Sequence, residues 1–188
     1  MKRMILASGS PRRKELLQML EVPFEVLVSD TKEVITKNEP AEVTKELSYQ
    51  KAMAVAEQVE EGIIIGADTV VSIDGKILGK PADTEEAREM IYKLQGKSHM
   101  VYTGVTVIAK SGDIVSASSF AEVTKVTVAP MTENEIEAYI STDEPYDKAG
   151  AYGIQGLFGK FIEGIKGDYF NVVGLPVHRL YEELKKFD

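Results

Sequence analysis

The sequence predicts a layered domain, α/β or α+β, built on a sheet of mixed strand direction. Short apolar runs of strand length alternate with helical stretches whose apolar residues recur every three or four positions. Some connections have the length and pattern of crossover helices, which join parallel strands; others are two-residue turns of the Asp-Gly kind, which make hairpins. No internal repeat, low-complexity tract or linker interrupts the 188 residues, which read as one domain of two lobes sharing one core.

The elements follow in order. Ile5-Leu6-Ala7 is a short buried strand ending at Ser8-Gly9-Ser10. Pro11 sits where helices accept proline, Ser10 is placed to cap, and Leu16, Leu17 and Leu20 give helical spacing, so a helix is expected over 11–20. Phe24–Val28 is a second strand. Pro40 opens a second helix to about Val59, its stripe made by Val43, Leu47, Ala54 and Val55. Gly62–Ala67 is a continuous apolar strand that leads through Asp68-Thr69 into Val70–Ile73, with Asp74-Gly75 turning the chain into Lys76–Leu78. Thr84–Leu94 is helical and stops near Gly96. Val101–Ala109 and Ile114–Val128 are long strands around Ser111-Gly112-Asp113. Thr132 with Glu135 forms a capping box for a helix to about Ile140. Phe161–Ile165 and Tyr169–Val173 are expected to pair as a last hairpin, and Val177–Phe187 closes as a helix.

Composition excludes several classes. The chain has no cysteine, so disulfides, thiolate-bound zinc, iron–sulfur clusters and a cysteine nucleophile are ruled out; this agrees with a reducing cytosol. A chain of this length buries roughly 70% of its unfolded surface and needs no staple. Met1–Ala7 holds Lys2 and Arg3 and then too few apolar residues for the roughly 7–15 of a secretory signal. Nothing approaches the ~20 apolar residues of a membrane span, so a soluble, cytoplasmic protein is expected. The net charge of −8 disfavours nucleic acid, whose backbone is bound through many cations. A small anion is still compatible where Lys and Arg are gathered in one place.

Several segments carry chemistry. In Ser8-Gly9-Ser10-Pro11-Arg12-Arg13 a strand ends, a glycine permits close approach and a helix begins. Unpaired N–H groups, two hydroxyls and two guanidinium forks make an oxyanion site; the plainer alternative is a capped helix with two solvated arginines. Gly96-Lys97-Ser98 ends like a Walker A loop, but Ile91 stands where the first glycine belongs. Asp68 follows an apolar strand, where open sheets gather ligands; there it can bind Mg²⁺ or take a proton from water, or else cap a turn or pair with a lysine. Lys51 on the second helix and Lys80 in Gly79-Lys80-Pro81 are candidate phosphate contacts or, alternatively, a snorkelling lysine and a turn lysine. Four glycines at positions 150, 153, 156 and 159 mark tight turns or close approach to a ligand, or a flexible loop, and Gln155 among them can read a base edge. His99 and His178 lack ligand spacing and are read as structural.

Taken together, these segments resemble the Maf family of nucleotide pyrophosphatases. The match runs through Ile5–Arg13, Lys51-Ala52, Ile65–Thr69, Gly79-Lys80-Pro81, Asp147–Gly156, Gly167-Asp168-Tyr169 and Val173–Pro176, nearly the whole chain in order. The resemblance implies an α/β fold like that of inosine-triphosphate pyrophosphatases: an elongated mixed β-sheet with flanking helices, a deep central cleft, and a homodimer. It implies cleavage of a nucleoside triphosphate between its α- and β-phosphates with a divalent metal, Mg²⁺ or Mn²⁺. Asp68 matches the catalytic proton acceptor, and Ser8, Arg13, Lys51, Lys80 and Lys148 match phosphate-binding positions. Arg12, Thr69 and Gln155 match the subgroup acting on dTTP and UTP, whereas the 7-methyl-GTP subgroup has tryptophan, glutamine and glutamate there. The family often has paired acids after the second strand; here Lys32 precedes Glu33, so Glu33 alone joins Asp68 as a candidate metal ligand. A nucleotide-binding regulator without turnover would keep the cations and need no Asp68.

Overall fold

A computed structural model of the chain describes residues 3–28, 30 and 32–187; Met1 and Lys2, counted in the reading of the first residues, lie outside them. Seven strands form one mixed sheet in the order β2-β1-β3-β5-β6-β7, with β4 (Lys76–Leu78) paired to β3. β1 (Met4–Leu6) lies parallel to both β2 (Phe24–Val26) and β3 (Glu61–Ile73), with Ile5 opposite Glu25 and Ile64. Such parallel neighbours need crossovers. These are supplied by the stretches that contain α1 (Pro11–Gln18) and α2 (Pro40–Ala56). β5 (Ser98–Ser111) and β6 (Ile114–Val128) meet across Gly112, whose φ of 57° suits the turn. β7 (Ile162–Lys166) runs antiparallel to β6.

Local chemistry places most ends where the sequence puts them. Asp74 and Gly75 have φ of 50° and 75°, the pair of left-handed residues that a two-residue hairpin turn requires, and Ile73 faces Lys76 across it. α3 (Thr84–Leu94) starts at Asp83, whose carboxylate accepts the Glu86 N–H at 2.8 Å, and is followed by Gly96 at φ 67°. α4 (Glu133–Ile140) opens with the full Thr132–Glu135 box. Several C-terminal boundaries fall short of expectation: β1 stops at Leu6, α1 at Gln18, β2 at Val26 and α2 at Ala56.

One element differs in kind. Tyr169–Val173, expected as a strand, is a helix, α5. The Asp168 carboxylate accepts the Phe170 N–H at 2.8 Å and starts the turn, while Gly167 at φ 130° redirects the chain before it. Asn171 is buried with its amide donating to Val101 O and Thr124 Oγ1, contacts that a strand in that place would not make. β7 pairs with β6 instead, Lys166 opposite Lys125. The last helix, α6, covers Val177–Leu184 and ends in a single 3-10 turn, Lys185–Phe187.

The chain folds as two compact units: residues 1–68, 103–122 and 174–188, and residues 69–102 and 123–173. The first has a core in which Ile5, Ala52, Val55, Ile64 and Ile108 are completely or almost completely buried. The second is built on α3, α4 and the strands beside them, with Ile91, Leu94, Val126, Ile136 and Phe158 fully enclosed. Each of these side chains larger than alanine contributes about 1.5–3 kcal/mol relative to exposure. Within the second unit Tyr139, Tyr152, Phe158 and Phe161 form a run of tilted and edge-on rings. His99 closes it, its Nε2 2.6 Å from the Tyr152 hydroxyl.

Burial pushes the His99 pKa down to about 4, below the ~6.5 of an exposed histidine. The fold therefore keeps it neutral while the unfolded chain takes up a proton between those values. Its contribution is fully present above pH ~6.5 and is lost as pH falls towards 4. Between neutral pH and about pH 4, the parent should lose up to about 3 kcal/mol more unfolding free energy than His99→Gln. Urea denaturation at a series of pH values measures this; parallel curves for both proteins would refute it.

Candidate active site

The first unit assembles a charged cluster from three segments. β1 ends beside β3, where the Ala7 N–H donates to Ile65 O at 2.8 Å, and the chain then turns away at Ser8. β3 continues past that point without its parallel neighbour, and Asp68 and Thr69 are only partly buried between the buried stretches Gly62–Ala67 and Val70–Ile73. Asp68 is thus not at a strand's end, as the sequence suggested, but mid-strand. What ends there is the parallel partner β1, and this frees the same kind of position beyond a carboxyl terminus that open sheets use for ligands.

Lys51 reaches Asp68 from α2. Its Nζ lies 2.5 Å from Asp68 Oδ1 and 3.1 Å from a Glu33 oxygen, so one ammonium holds two carboxylates. The side chains of Asp68 and Lys51 are 13% and 25% exposed, so the pair is largely shielded but not sealed from solvent. Arg13 completes the cluster. Its Nε donates to Gly174 O at 2.9 Å and its Nη1 to Ser8 Oγ at 3.2 Å, and Ser8 Oγ also accepts the Ser10 N–H at 3.3 Å. Loss of water lowers the Arg13 pKa from its usual value; the charges of Asp68 and Glu33 oppose the fall and Arg12 adds to it. An arginine this shifted is still a cation. Ser10 caps α1 through the Arg13 N–H, as its position suggested.

The geometry of Lys51 rests on a close approach of helix to sheet. Thr44, Ser48 and Ala52 recur at every fourth residue and form one buried face of α2. Below them stand Gly66 of β3 and Gly104 of β5. A Cβ on Gly104 would overlap the Thr44 backbone, and one on Gly66 would lie 2.9 Å from both the nitrogen and the Cβ of Ala52. The sunken Ser48 hydroxyl is satisfied by Thr106 Oγ1 at 2.9 Å, which meets Ser119 Oγ at 2.8 Å. Sequence reasoning named Gly66 only as part of a motif and missed Gly104; the spacing of Thr44, Ser48 and Ala52 was the available signal.

The second unit holds the other candidates. Thr69 opens it, one residue after Asp68. Lys80 is exposed just before buried Pro81, and the preceding Gly79 carbonyl accepts the Gly150 N–H at 2.9 Å, which ties the Lys80 turn to the glycine-rich loop. In that loop Lys148 Nζ donates to Glu144 O at 2.7 Å and Asp147 Oδ1 at 2.6 Å. Gln155 stands exposed between Gly153 and Gly156. His178 lies at the start of α6.

The mixed seven-stranded sheet defines a fold class: the chain shares its fold with the Ham1 protein of Staphylococcus aureus, at a TM-score of 0.55 and 13% identity over 100% of both chains. The family is narrower. A family profile described as "Maf-like protein" matches residues 3–187, and the chain belongs to that family. A relative from Bacillus cytotoxicus, named dTTP/UTP pyrophosphatase, is 54% identical over 100% of this chain and 97% of its own length. One from Bacillus cereus with the same name is 51% identical over the same shares.

Replacing Gly66 by alanine should force α2 outward and cost about 1–3 kcal/mol, as overpacking does. A urea denaturation midpoint unchanged from the parent would show that the helix is not seated on that glycine.

Proposed function

We propose that this chain hydrolyses dTTP and UTP, modified pyrimidine triphosphates included, between the α- and β-phosphates, giving the nucleoside monophosphate and pyrophosphate. The observation that carries this is the cluster itself: Asp68 lies 2.5 Å from Lys51, which also meets Glu33, and Arg13 lies within the field of both acids. The names of full-length relatives at about half identity support the substrate.

Water attacks the α-phosphorus, the bond to the bridging oxygen of the β-phosphate breaks, and pyrophosphate leaves. Asp68 accepts the proton of the attacking water. Ser8, Arg13, Lys51, Lys80 and Lys148 hold the triphosphate and offset the charge that grows on the leaving group. Arg12, Thr69 and Gln155 read the base, since a site built to hydrogen-bond one base edge leaves buried groups unpaired with another.

A divalent cation, Mg²⁺ or Mn²⁺, is part of the proposal. Asp68 and Glu33 would hold it: both present hard oxygens to one ammonium, and Mg²⁺ commonly takes one or two carboxylates and completes its shell with phosphate and water. When bound, it neutralises phosphate charge. Lys51, paired with Asp68 at 2.5 Å, would share that carboxylate with the cation and offer its remaining donors to phosphate. The reading also puts the protein in the cytoplasm, where nucleoside triphosphates are made and used, as a homodimer that sedimentation would reveal.

Removing the proton acceptor should cost about 10²–10⁴-fold in kcat, so Asp68→Asn is expected to lose nearly all turnover while melting close to the parent. Near-normal activity in that variant would end the assignment. With Mg²⁺ or Mn²⁺, a panel of nucleoside triphosphates with pyrophosphate and orthophosphate detected separately should show pyrophosphate from dTTP and UTP. Preferred turnover of purines, or release of orthophosphate, would overturn the substrate or the cleaved bond.

A further inference from the structure

The turn that carries Gln155 is closed by a residue that precedes the Asp147–Gly156 segment. Glu144 lies in a 3-10 turn, Glu144–Asp147, and folds its carboxylate back against residues 156–158. Oε2 accepts the Leu157 N–H at 2.7 Å, and Oε1 receives the Phe158 N–H and the Tyr139 hydroxyl, each at 3.4 Å. The carboxylate occupies the space that a Cβ at Gly156 would need; a built Cβ there overlaps all three carboxyl atoms. Glycine at 156 is therefore required by Glu144 and not by the backbone angle, which has a negative φ of −98°.

The same residue is gripped from its other end. Its main-chain carbonyl accepts from Lys148 Nζ at 2.7 Å, and the Lys148 stem lies over Gly153, where a Cβ would come within 2.8 Å of Cδ and Cε. Gly156 N donates to Gly153 O at 3.2 Å, and Gly159 N to Gly156 O at 3.0 Å. Upstream, Ala151 is held at φ 63°, a conformation costly for a residue with a side chain, while its carbonyl accepts from Tyr139 Oη at 3.0 Å. Such strain persists only where the surroundings over-determine the backbone. The residues flanking Gln155 are thus fixed on both sides by one acidic side chain and its neighbours.

We infer that Glu144 is a positioning residue for base selection: it touches no substrate, and it sets the Gln155 backbone through the Leu157 and Phe158 amides and the space left by Gly156. This rests on the base-reading role of Gln155 proposed above. Loosening the turn leaves the charged cluster of the first unit intact, so it affects recognition and not the chemical step. A misplaced hydrogen-bonding group weakens discrimination between bases rather than bond cleavage.

Steady-state kinetics with dTTP and dGTP on Glu144→Ala, Glu144→Gln, Gly156→Ala and Gln155→Ala test this. Glu144→Ala should raise KM for dTTP by about tenfold, compress the dTTP-to-dGTP ratio of kcat/KM by about tenfold and hold kcat within about threefold. Glu144→Gln keeps one carbonyl oxygen for the Leu157 N–H and should recover part of the ratio. Gly156→Ala should reproduce Glu144→Ala, and the double variant should add little to either. Should Glu144→Ala fail to fold, the isosteric Gln variant and Gly156→Ala decide. Altered preference in Gln155→Ala beside unaltered preference in every Glu144 and Gly156 variant overturns this inference alone. Unaltered preference in Gln155→Ala overturns the base-reading role and this inference with it.

Discussion

The seating of α2 on two glycines of the sheet is the constraint on which the charged cluster depends. Helices usually pack at a distance set by interposed side chains, about 8–10 Å between axes for helix pairs. Here Gly66 and Gly104 remove those side chains from the sheet, and Thr44, Ser48 and Ala52 keep the helix face small. The backbone sinks, and Lys51, next to Ala52, is lowered until its ammonium meets Asp68. Close seating buries hydroxyls, so the Ser48–Thr106–Ser119 chain is its necessary companion, because an unpaired buried hydroxyl costs more than the contact returns. At the far end Lys110 Nζ donates to Ala56 O at 2.8 Å, and a cation there also suits the negative end of the helix dipole.

Charge is distributed to match. The chain is acidic overall, at −8, yet Lys51 and Arg13 gather in one partly buried place beside Asp68 and Glu33. Partial burial is what makes them effective, since the same charges at the surface would interact weakly through water. Arg13 cannot wander: Gly174 O and Ser8 Oγ take two of its donors and fix the plane of its fork. A cluster so anchored pays little reorganisation when a multivalent anion arrives.

The second unit uses another device. A loop of four spaced glycines would ordinarily be loose, because glycine loses the most freedom on ordering. Instead, the voids left by missing side chains are filled by specific groups: the Glu144 carboxylate at Gly156, the Lys148 stem at Gly153, the Val71 side chain at Gly150. The glycines are sockets. This is why composition alone left open whether the stretch was flexible.

Much of the fold was legible in the sequence, because hairpin turns and helix caps are local chemistry. Asp74-Gly75, Asp83 and the Thr132–Glu135 box act through atoms two or three residues apart, so the sequence by itself determined those ends. It also determined which residue types could meet a phosphate, and that no thiol takes part. What only tertiary structure decided depends on partners distant in sequence. Tyr169–Val173 is a helix because Asn171 finds Val101 and Thr124; Asp68 is accessible mid-strand because β1 ends beside Ile65; and Lys51 is a partner of Asp68, not a solvated lysine, because Gly66 and Gly104 let a whole helix descend. Glu144 escaped notice for the same reason: its partners lie thirteen and fourteen residues on, and only the folded turn brings their amides to its carboxylate.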